Sequence, residues 1–152
     1  MNKIDEARAL LKELNVPIKQ QADLCCYVLL AMADIKENSS WSDATNDWIR
    51  IHDLLLFLRK HYQVIYAENS RETVRKQAMH HFRNAAFIED NGKSTNSPNY
   101  RYRLTDEMLY LIRSYGTDTW ADRKEKFLSA HESLISMYES KRSMLKMPVS
   151  IN

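Results

Sequence analysis

Glycine and proline are scarce in this chain: two glycines and three prolines occur among its 152 residues. Strand-rich barrels and sandwiches need these residues at their many tight turns, and phosphate-binding loops need several glycines close together. The scarcity therefore excludes both kinds of structure. Leu, Ala, Met, Lys, Glu and Arg, which are good helix formers, are abundant, so we predict a mainly α fold in one domain.

Apolar residues recur at intervals of three and four residues, the spacing that places them on one face of a helix. This periodicity predicts helices over residues 2–14, 18–36, 47–62, 70–84, 106–115 and 117–145. The second is apolar from Leu24 to Met32, which is typical of a helix buried on several sides. The last begins at Thr117 or Asp118, and at 1.5 Å per residue it is about 42 Å long.

The helix predicted over 70–84 carries its charges on one side. Its apolar face consists of Val74, Ala78, Phe82 and Ala85. The opposite arc consists of Thr73, Arg75, Lys76, Met79, His80 and Arg83. Asn69 and Glu72 have the spacing of a capping box, with Ser70 as the alternative cap, and His81 lies at the edge of the apolar face, where we expect it to be buried. The charged arc suits contact with phosphates and base edges.

Basic residues concentrate in one stretch of an otherwise nearly neutral chain. Residues 71–103 contain three acidic residues and seven basic ones, namely Arg71, Arg75, Lys76, Arg83, Lys93, Arg101 and Arg103. Such a stretch indicates a surface for an anion, and nucleic acid is the most common large one. The alternative is a solvated surface that happens to be basic.

The periodicity changes after residue 86. Residues 87–90 and 100–104 are two short strand candidates joined by a turn-rich stretch. In the second strand, Tyr100, Tyr102 and Leu104 alternate with Arg101 and Arg103, which puts the two sets on opposite faces. Two helices followed by a hairpin have the order of a winged helix-turn-helix, with one short β-hairpin. Alternatively, the hairpin only covers one end of the core.

Motifs for catalysis and metal binding are absent from the sequence. The five histidines form no HExxH pair, Cys25 and Cys26 form no CxxC, and no Walker or GxGxxG loop occurs. Acid-x-Lys triplets at 34–36, 122–124 and 139–141 match half of a nuclease motif, but each falls on a predicted helix. We predict no catalytic residue and no metal site in this chain.

The sequence also bears on the compartment. No apolar stretch of about 18 residues occurs, so we predict no membrane partner. Cys25 and Cys26 lie in an apolar stretch and are expected to be small buried hydrophobes, which fits a reducing cytoplasm.

The block 66–82, Tyr-Ala-Glu-Asn-Ser-Arg-Glu-Thr-Val-Arg-Lys-Gln-Ala-Met-His-His-Phe, resembles the N-terminal domain of the BsuBI/PstI-type II restriction endonucleases. Further matches are Asn96-Ser-Pro98 with Tyr102 and Leu104, Gly116-Thr117 with Trp120, and Tyr138 with Arg142. Met147-Pro-Val resembles the place where that family passes into its nuclease domain. The resemblance implies a helical, winged-helix-like DNA-recognition domain over 1–146 and the start of a nuclease domain over 147–152.

The function that the resemblance implies is binding of a palindromic double-stranded DNA site, as the target-recognition domain of a type II restriction endonuclease. A palindromic site favours a homodimer, whereas the chain without the rest of its enzyme can be a monomer, so the oligomeric state stays open. The DNA-facing residues that it implies are Arg71, Glu72, Thr73, Arg75, Gln77 and His80. Lys76 stands where Arg is expected; it keeps the charge but loses the fork that suits guanine, so its contact stays open between phosphate and base. The family's Mg²⁺-dependent centre is expected after residue 152, so no cofactor is expected in this chain.

The charge pattern itself adds phosphate contacts, by Arg83, Lys93, Arg101 and Arg103. Two other functions stay open. A free-standing winged-helix transcriptional regulator uses the same surface, whereas a protein-interaction bundle binds a partner through the apolar stripe from Trp120 to Tyr138. The alternation after Pro148 is typical of the start of a strand and indicates a chain cut at a domain boundary.

Overall fold

Helices α1 (Lys3–Glu13) and α2 (Asp23–Met32) pack against each other in the computed structural model, which describes residues 1–146. The side chain of Asn2 caps α1 by accepting a hydrogen bond from the backbone N–H of Asp5 over 3.0 Å. Seven of the ten residues of α2 are buried, as its apolar sequence predicts. The helix is shorter than the predicted 18–36, because Asp34 adopts a left-handed backbone (φ 56°) just after it ends.

Helix α3 (Ile51–Tyr62) also packs against α2. Its first turn is closed by the backbone N–H of Arg50, which donates to the Asp53 carboxylate over 3.3 Å. The helix ends at Gln63, whose φ of 54° is left-handed. It begins later than the predicted residue 47, because Ile49 is extended and pairs with a strand of the hairpin.

The next helix is continuous over residues 71–84 but contains a wide turn at its centre. It consists of α4 (Arg71–Val74), a π-helical turn (Arg75–Met79) and α5 (His80–Asn84), together referred to as the basic helix. A π turn closes hydrogen bonds between residues five apart, so Met79 lies one turn after Val74 and is 1% exposed. The prediction that Met79 faces solvent is therefore wrong.

The extra residue in the π turn also rotates His81 away from the core. His81 is exposed, so the prediction that it is buried is also wrong. The start of the basic helix differs from expectation as well. Within the described structure, no capping box forms between Asn69 and Glu72, and Ser70 makes no side-chain cap. Glu72 instead pairs with Arg75, one turn further along.

The hairpin consists of strands β1 (Ile88–Asp90) and β2 (Tyr102–Leu104), which pair antiparallel and are joined by the wing loop, residues 91–101. Ile49 pairs with the other edge of β2 through two backbone hydrogen bonds with Tyr102, of 2.8 and 2.9 Å. The order α2, Ile49, α3, basic helix, β1, β2 is that of a winged helix-turn-helix. The predicted fold class is confirmed, although the sequence did not indicate the pairing of Ile49.

Helix α6 (Asp106–Ile112) is capped by Thr105, and helix α7 (Trp120–Lys146) follows it. With 27 residues, α7 is about 40 Å long, which confirms the predicted long C-terminal helix. Its buried residues are Trp120, Phe127 and Tyr138. Within residues 1–146, no helix combines the length and the apolar content that crossing a bilayer requires. The nuclease-domain start predicted for 147–152 lies outside the described residues.

Candidate nucleic-acid interface

A groove runs between the basic helix and the wing loop, and the start of α3 forms a further wall. Its two recesses enclose about 700 Å³ and about 290 Å³. Both border Arg75, Thr95, Tyr100 and Tyr102, so they form one depression, referred to as the basic groove. Its lining residues are Arg50, Ile51, His52, Arg71, Glu72, Arg75, Lys76, His80, Arg83, Thr95, Asn96, Ser97, Pro98, Tyr100 and Tyr102.

The lining of the basic groove is strongly cationic. Its arginines and lysine are Arg50, Arg71, Arg75, Lys76 and Arg83, and two histidines also line it. Among the lining residues in the described part of the chain, Glu72 is the only carboxylate. Cations that converge on a concave surface focus a positive potential, which attracts a polyanion.

Three arginines of the groove pair with acids three residues away. The pairs are Arg50 with Asp53 at 3.0 Å, Arg71 with Glu68 at 3.5 Å, and Arg75 with Glu72. All three pairs are accessible to solvent, and such pairs contribute little to stability. Each of these arginines can therefore exchange or share its acid partner with a phosphate or a base edge.

One arginine and two tyrosines of the groove have raised pKa values. The hydrogen bond to Glu72 raises the pKa of the Arg75 guanidinium. Burial raises the pKa of the Tyr100 and Tyr102 phenols. The groove therefore presents a charged Arg75 beside two neutral hydroxyl groups.

Arg83 and Arg103 form ion pairs with buried carboxylates. Arg83 lies 2.9 Å from Asp90, whose side chain is 3% exposed, and Arg103 lies 3.1 Å from Glu89, whose side chain is 5% exposed. The Arg103 guanidinium also stacks over Trp48, 4.6 Å from the ring centre. Removing one partner of a buried pair leaves an uncompensated charge. Both arginines therefore hold the hairpin in position, a role that the sequence did not indicate.

The remaining basic residues of the predicted set, Lys93 and Arg101, lie in the wing loop, outside the groove lining. Arg101 donates to the backbone oxygens of Pro98 over 2.8 Å and Tyr100 over 3.1 Å. These bonds fix the shape of the loop, while the Lys93 side chain is exposed.

The structure brings together about half of the residues that the sequence singled out. Those that line the groove are Arg71, Glu72, Arg75, Lys76, His80 and Arg83. Thr73 and Gln77 are exposed on the basic helix but do not line the groove.

Sequence reasoning missed the contribution of α3 and most of that of the loop. The missed polar residues are Arg50, His52, Thr95, Asn96 and Ser97. Arg50 and His52 lie far from the basic stretch in sequence. The pairing of Ile49 with Tyr102 and the 2.9 Å contact of His52 with Glu68 hold the start of α3 beside the groove. The predicted helix-turn-helix could have indicated Arg50 and His52, because in this fold the first helix crosses the DNA backbone beside the second.

The described residues offer no metal site. Among residues 1–146, no group of three or more His, Cys, Asp or Glu side chains is arranged to hold a metal ion. The Mg²⁺ that the family resemblance implies for a complete restriction enzyme does not fit these residues, and no catalytic step through it follows from this chain.

The pairing of Ile49 with β2, the helix pair α3 and basic helix, and the cationic groove beside the wing define a winged helix-turn-helix domain. The chain belongs to the BsuBI/PstI restriction endonuclease HTH domain family, whose model matches residues 1–136. The resemblance carried by the block 66–82 is therefore confirmed.

The proteins to which this chain is similar are about twice as long as the chain. The chain is 35% identical over 152 residues to the type II restriction enzyme BsuBI of Bacillus subtilis, covering 97% of this chain and 48% of that protein. It is 33% identical over 149 residues to the type II restriction enzyme AplI of Arthrospira platensis, covering 96% and 46%. The structure of SdaI restriction endonuclease superposes with a TM-score of 0.79 at 30% identity, covering 92% of this chain and 46% of that one. The chain spans about half the length of the curated relatives it matches.

Proposed function

We propose that this chain is the target-recognition part of a type II restriction endonuclease and that its basic groove binds double-stranded DNA. The observation that carries the proposal is the groove itself, in which exposed cations on the first turns of the basic helix converge with α3 and the wing loop. The similarity to proteins named as type II restriction enzymes supports the parent activity.

The basic helix lies in the major groove of the DNA, which is wide enough to admit an α-helix. In helix-turn-helix proteins, the N-terminal residues of the second helix reach the base edges. Here these residues are Arg71, Glu72 and Arg75. Lys76 and His80 follow on the same side of the helix and contact a base or a phosphate.

Phosphates are contacted by exposed groups on both sides of the basic helix. Lys93 and Arg101 in the wing loop contact one strand, and Arg50 at the start of α3 contacts the other. Thr73 and Gln77 donate to sugar and phosphate oxygens beside the groove. Arg83 and Arg103 contribute indirectly, because their ion pairs hold the hairpin in the position from which the wing loop makes these contacts.

In the complete protein, residues 1–146 form the recognition domain and 147–152 lead into a Mg²⁺-dependent nuclease domain that cleaves both strands of a palindromic site. A palindrome presents two identical half-sites, so two copies bind one site as a homodimer. The protein acts in the cytoplasm, where its DNA target is found.

The two other functions are less well supported. A free-standing transcriptional regulator is not favoured, because the matched curated relatives are type II restriction enzymes. A partner-binding stripe along α7 is not favoured either, because Trp120, Phe127 and Tyr138 are buried within the domain itself.

Binding of the 152-residue chain to a duplex that it selects from a random pool, measured by fluorescence anisotropy, tests the proposal. Arg71→Ala and Arg75→Ala are each expected to weaken binding about tenfold or more. Arg59→Ala, which removes an exposed arginine in the last turn of α3 outside the groove lining, serves as the matched control and leaves binding unchanged. No binding by the original chain, or equal affinity of all four proteins, contradicts the proposal.

A further inference from the structure

Glu72 is an acidic residue in a groove whose other charged lining residues are basic. Its carboxylate side chain is 53% exposed there. A negative charge close to phosphates weakens sequence-independent binding to DNA. Two common structural reasons for an acid at this position do not apply, because no capping box forms in the described structure and an exposed ion pair contributes little stability. The interaction of Glu72 with the N-terminal end of the helix dipole remains, and it is weak at an exposed position.

The position of Glu72 favours contact with base edges. It lies in the first turn of the basic helix, and Arg75 lies one turn further along, so both side chains project from the end that reaches into the major groove. Nη2 of Arg75 donates to Oε1 of Glu72. A guanidinium has five N–H groups, so Arg75 retains donors for a base, and Oε2 of Glu72 remains an acceptor.

Among the four arrangements of a base pair, one satisfies these donors and acceptors most fully. In the major groove, guanine presents O6 and N7 as acceptors, which suit arginine, and its cytosine partner presents the N4 amino group as a donor, which suits a carboxylate. A pair with adenine under Arg75 and thymine under Glu72 places the adenine N6 donor against arginine and the thymine O4 acceptor against the carboxylate. The reversed C·G pair mismatches as well, because it places the cytosine N4 donor against Arg75. The reversed T·A pair is the nearest competitor, since it offers thymine O4 to Arg75 and adenine N6 to Glu72. It gives Arg75 one acceptor beside a methyl group, however, where guanine gives two acceptors for a bidentate contact.

We infer that Glu72 and Arg75 together read one G·C base pair in a fixed orientation, with Arg75 on guanine O6 and N7 and Glu72 on cytosine N4. The inference rests on the proposed DNA-binding function and deepens it. It also accounts for the acid in the groove, because Glu72 lowers affinity for unrelated sequences while it strengthens binding to the correct one.

Selection of sites from a random duplex pool tests the inference, with the 152-residue chain, Glu72→Ala and Asp122→Ala. Asp122 is the matched control, because it forms an exposed ion pair with Lys126 on α7, outside the basic groove. The original chain and the control are expected to select a motif with an invariant G·C pair. Glu72→Ala is expected to lose preference at that pair about tenfold, whereas its affinity for random duplex stays equal or rises. That opposite movement does not arise from partial unfolding, which lowers both affinities.

A modified duplex separates reading of cytosine from positioning of Arg75. The cytosine of the selected pair is replaced by 2-pyrimidinone, which lacks the N4 amino group. The original chain is expected to lose about tenfold in affinity, and Glu72→Ala is expected to lose nothing more. Equal losses for both proteins overturn the contact with cytosine, and an unchanged motif in Glu72→Ala overturns the whole inference. Failure of the original chain to select any motif overturns the proposed function instead.

Discussion

Glu89 and Asp90 are neighbours in β1, yet their buried carboxylates are bound from opposite sides of the hairpin. Asp90 accepts a hydrogen bond from Arg83 of the basic helix over 2.9 Å. Glu89 accepts from Arg103 of β2 over 3.1 Å and from Lys141 of α7 over 2.6 Å. Because successive side chains of a strand point to opposite faces, this one pair of acids ties the basic helix to the hairpin and the hairpin to α7.

The first prediction concerns the ion pair between Arg83 and Asp90. Asp90→Ala leaves the partly buried Arg83 without its counter-charge, so the free energy of unfolding is expected to fall by about 3 kcal/mol. Urea denaturation followed by circular dichroism measures the change. Asp122→Ala, which breaks an exposed pair, is expected to cost less than about 1 kcal/mol. Equal losses in the two variants contradict a structural role for the Arg83–Asp90 pair.

The second prediction separates arginines that support the fold from arginines that bind DNA. Arg103→Ala removes one of the two cations that pair with buried Glu89, together with the stacking on Trp48, so it is expected to lower the free energy of unfolding by about 2 kcal/mol. Arg71→Ala is expected to change it by less than about 0.5 kcal/mol, because the side chain is exposed. In binding assays at a temperature where both variants are folded, Arg71→Ala is expected to show the larger loss. The reverse order in either assay argues against this division.

The helices and the hairpin were predictable from this sequence, whereas the faces on which the residues of the basic helix lie were not all predictable. Scarce glycine and apolar periodicity were sufficient for the helices, and alternation at Tyr102 and Leu104 was sufficient for β2. A uniform period of 3.6 residues cannot anticipate a π turn, so Met79 and His81 were assigned to the wrong faces.

The candidate site was predictable only where it is local in sequence. The basic stretch identified Arg71 and Arg75, which line the groove. Charge counting could not separate these arginines from Arg83, because the buried Asp90 that binds Arg83 becomes its neighbour only through the fold. For the same reason, no local pattern indicated that Arg50 joins the groove.

The third prediction concerns the adjacent thiols of α2. Burial raises the pKa of Cys25 and Cys26 from 9.0 to about 11. In the folded protein these thiols stay protonated where unfolded thiols ionise, so they favour folding below pH 9 and this contribution is lost as the pH rises from 9 through 11. The fall in the free energy of unfolding across this window, measured by urea denaturation, is expected to be shallower in the Cys25→Ala, Cys26→Ala double variant. The comparison uses the slope of the free energy of unfolding against pH, because the packing cost of the substitutions shifts the whole curve and leaves its slope unchanged. Parallel curves contradict the prediction.

The fourth prediction uses the end of α3. Gln63 is exposed and has a φ of 54°, which is strained for a side chain with a Cβ atom but not for glycine. Gln63→Gly is expected to raise the free energy of unfolding by about 0.5–1 kcal/mol. Lys60→Gly, an exposed position within the same helix, is expected to lower it by about 1 kcal/mol. Changes of the same sign in the two variants, measured by thermal denaturation, contradict the left-handed assignment.

The most direct test of the central claim is to map the DNA contact by NMR, from the amide shifts of the ¹⁵N-labelled 152-residue chain titrated with a selected duplex. We predict that the largest shifts fall within residues 50–52, 71–76 and 95–98, the segments that contain most of the residues lining the basic groove. Shifts confined to α6 and the first half of α7, with the amides of the groove unchanged, would contradict it.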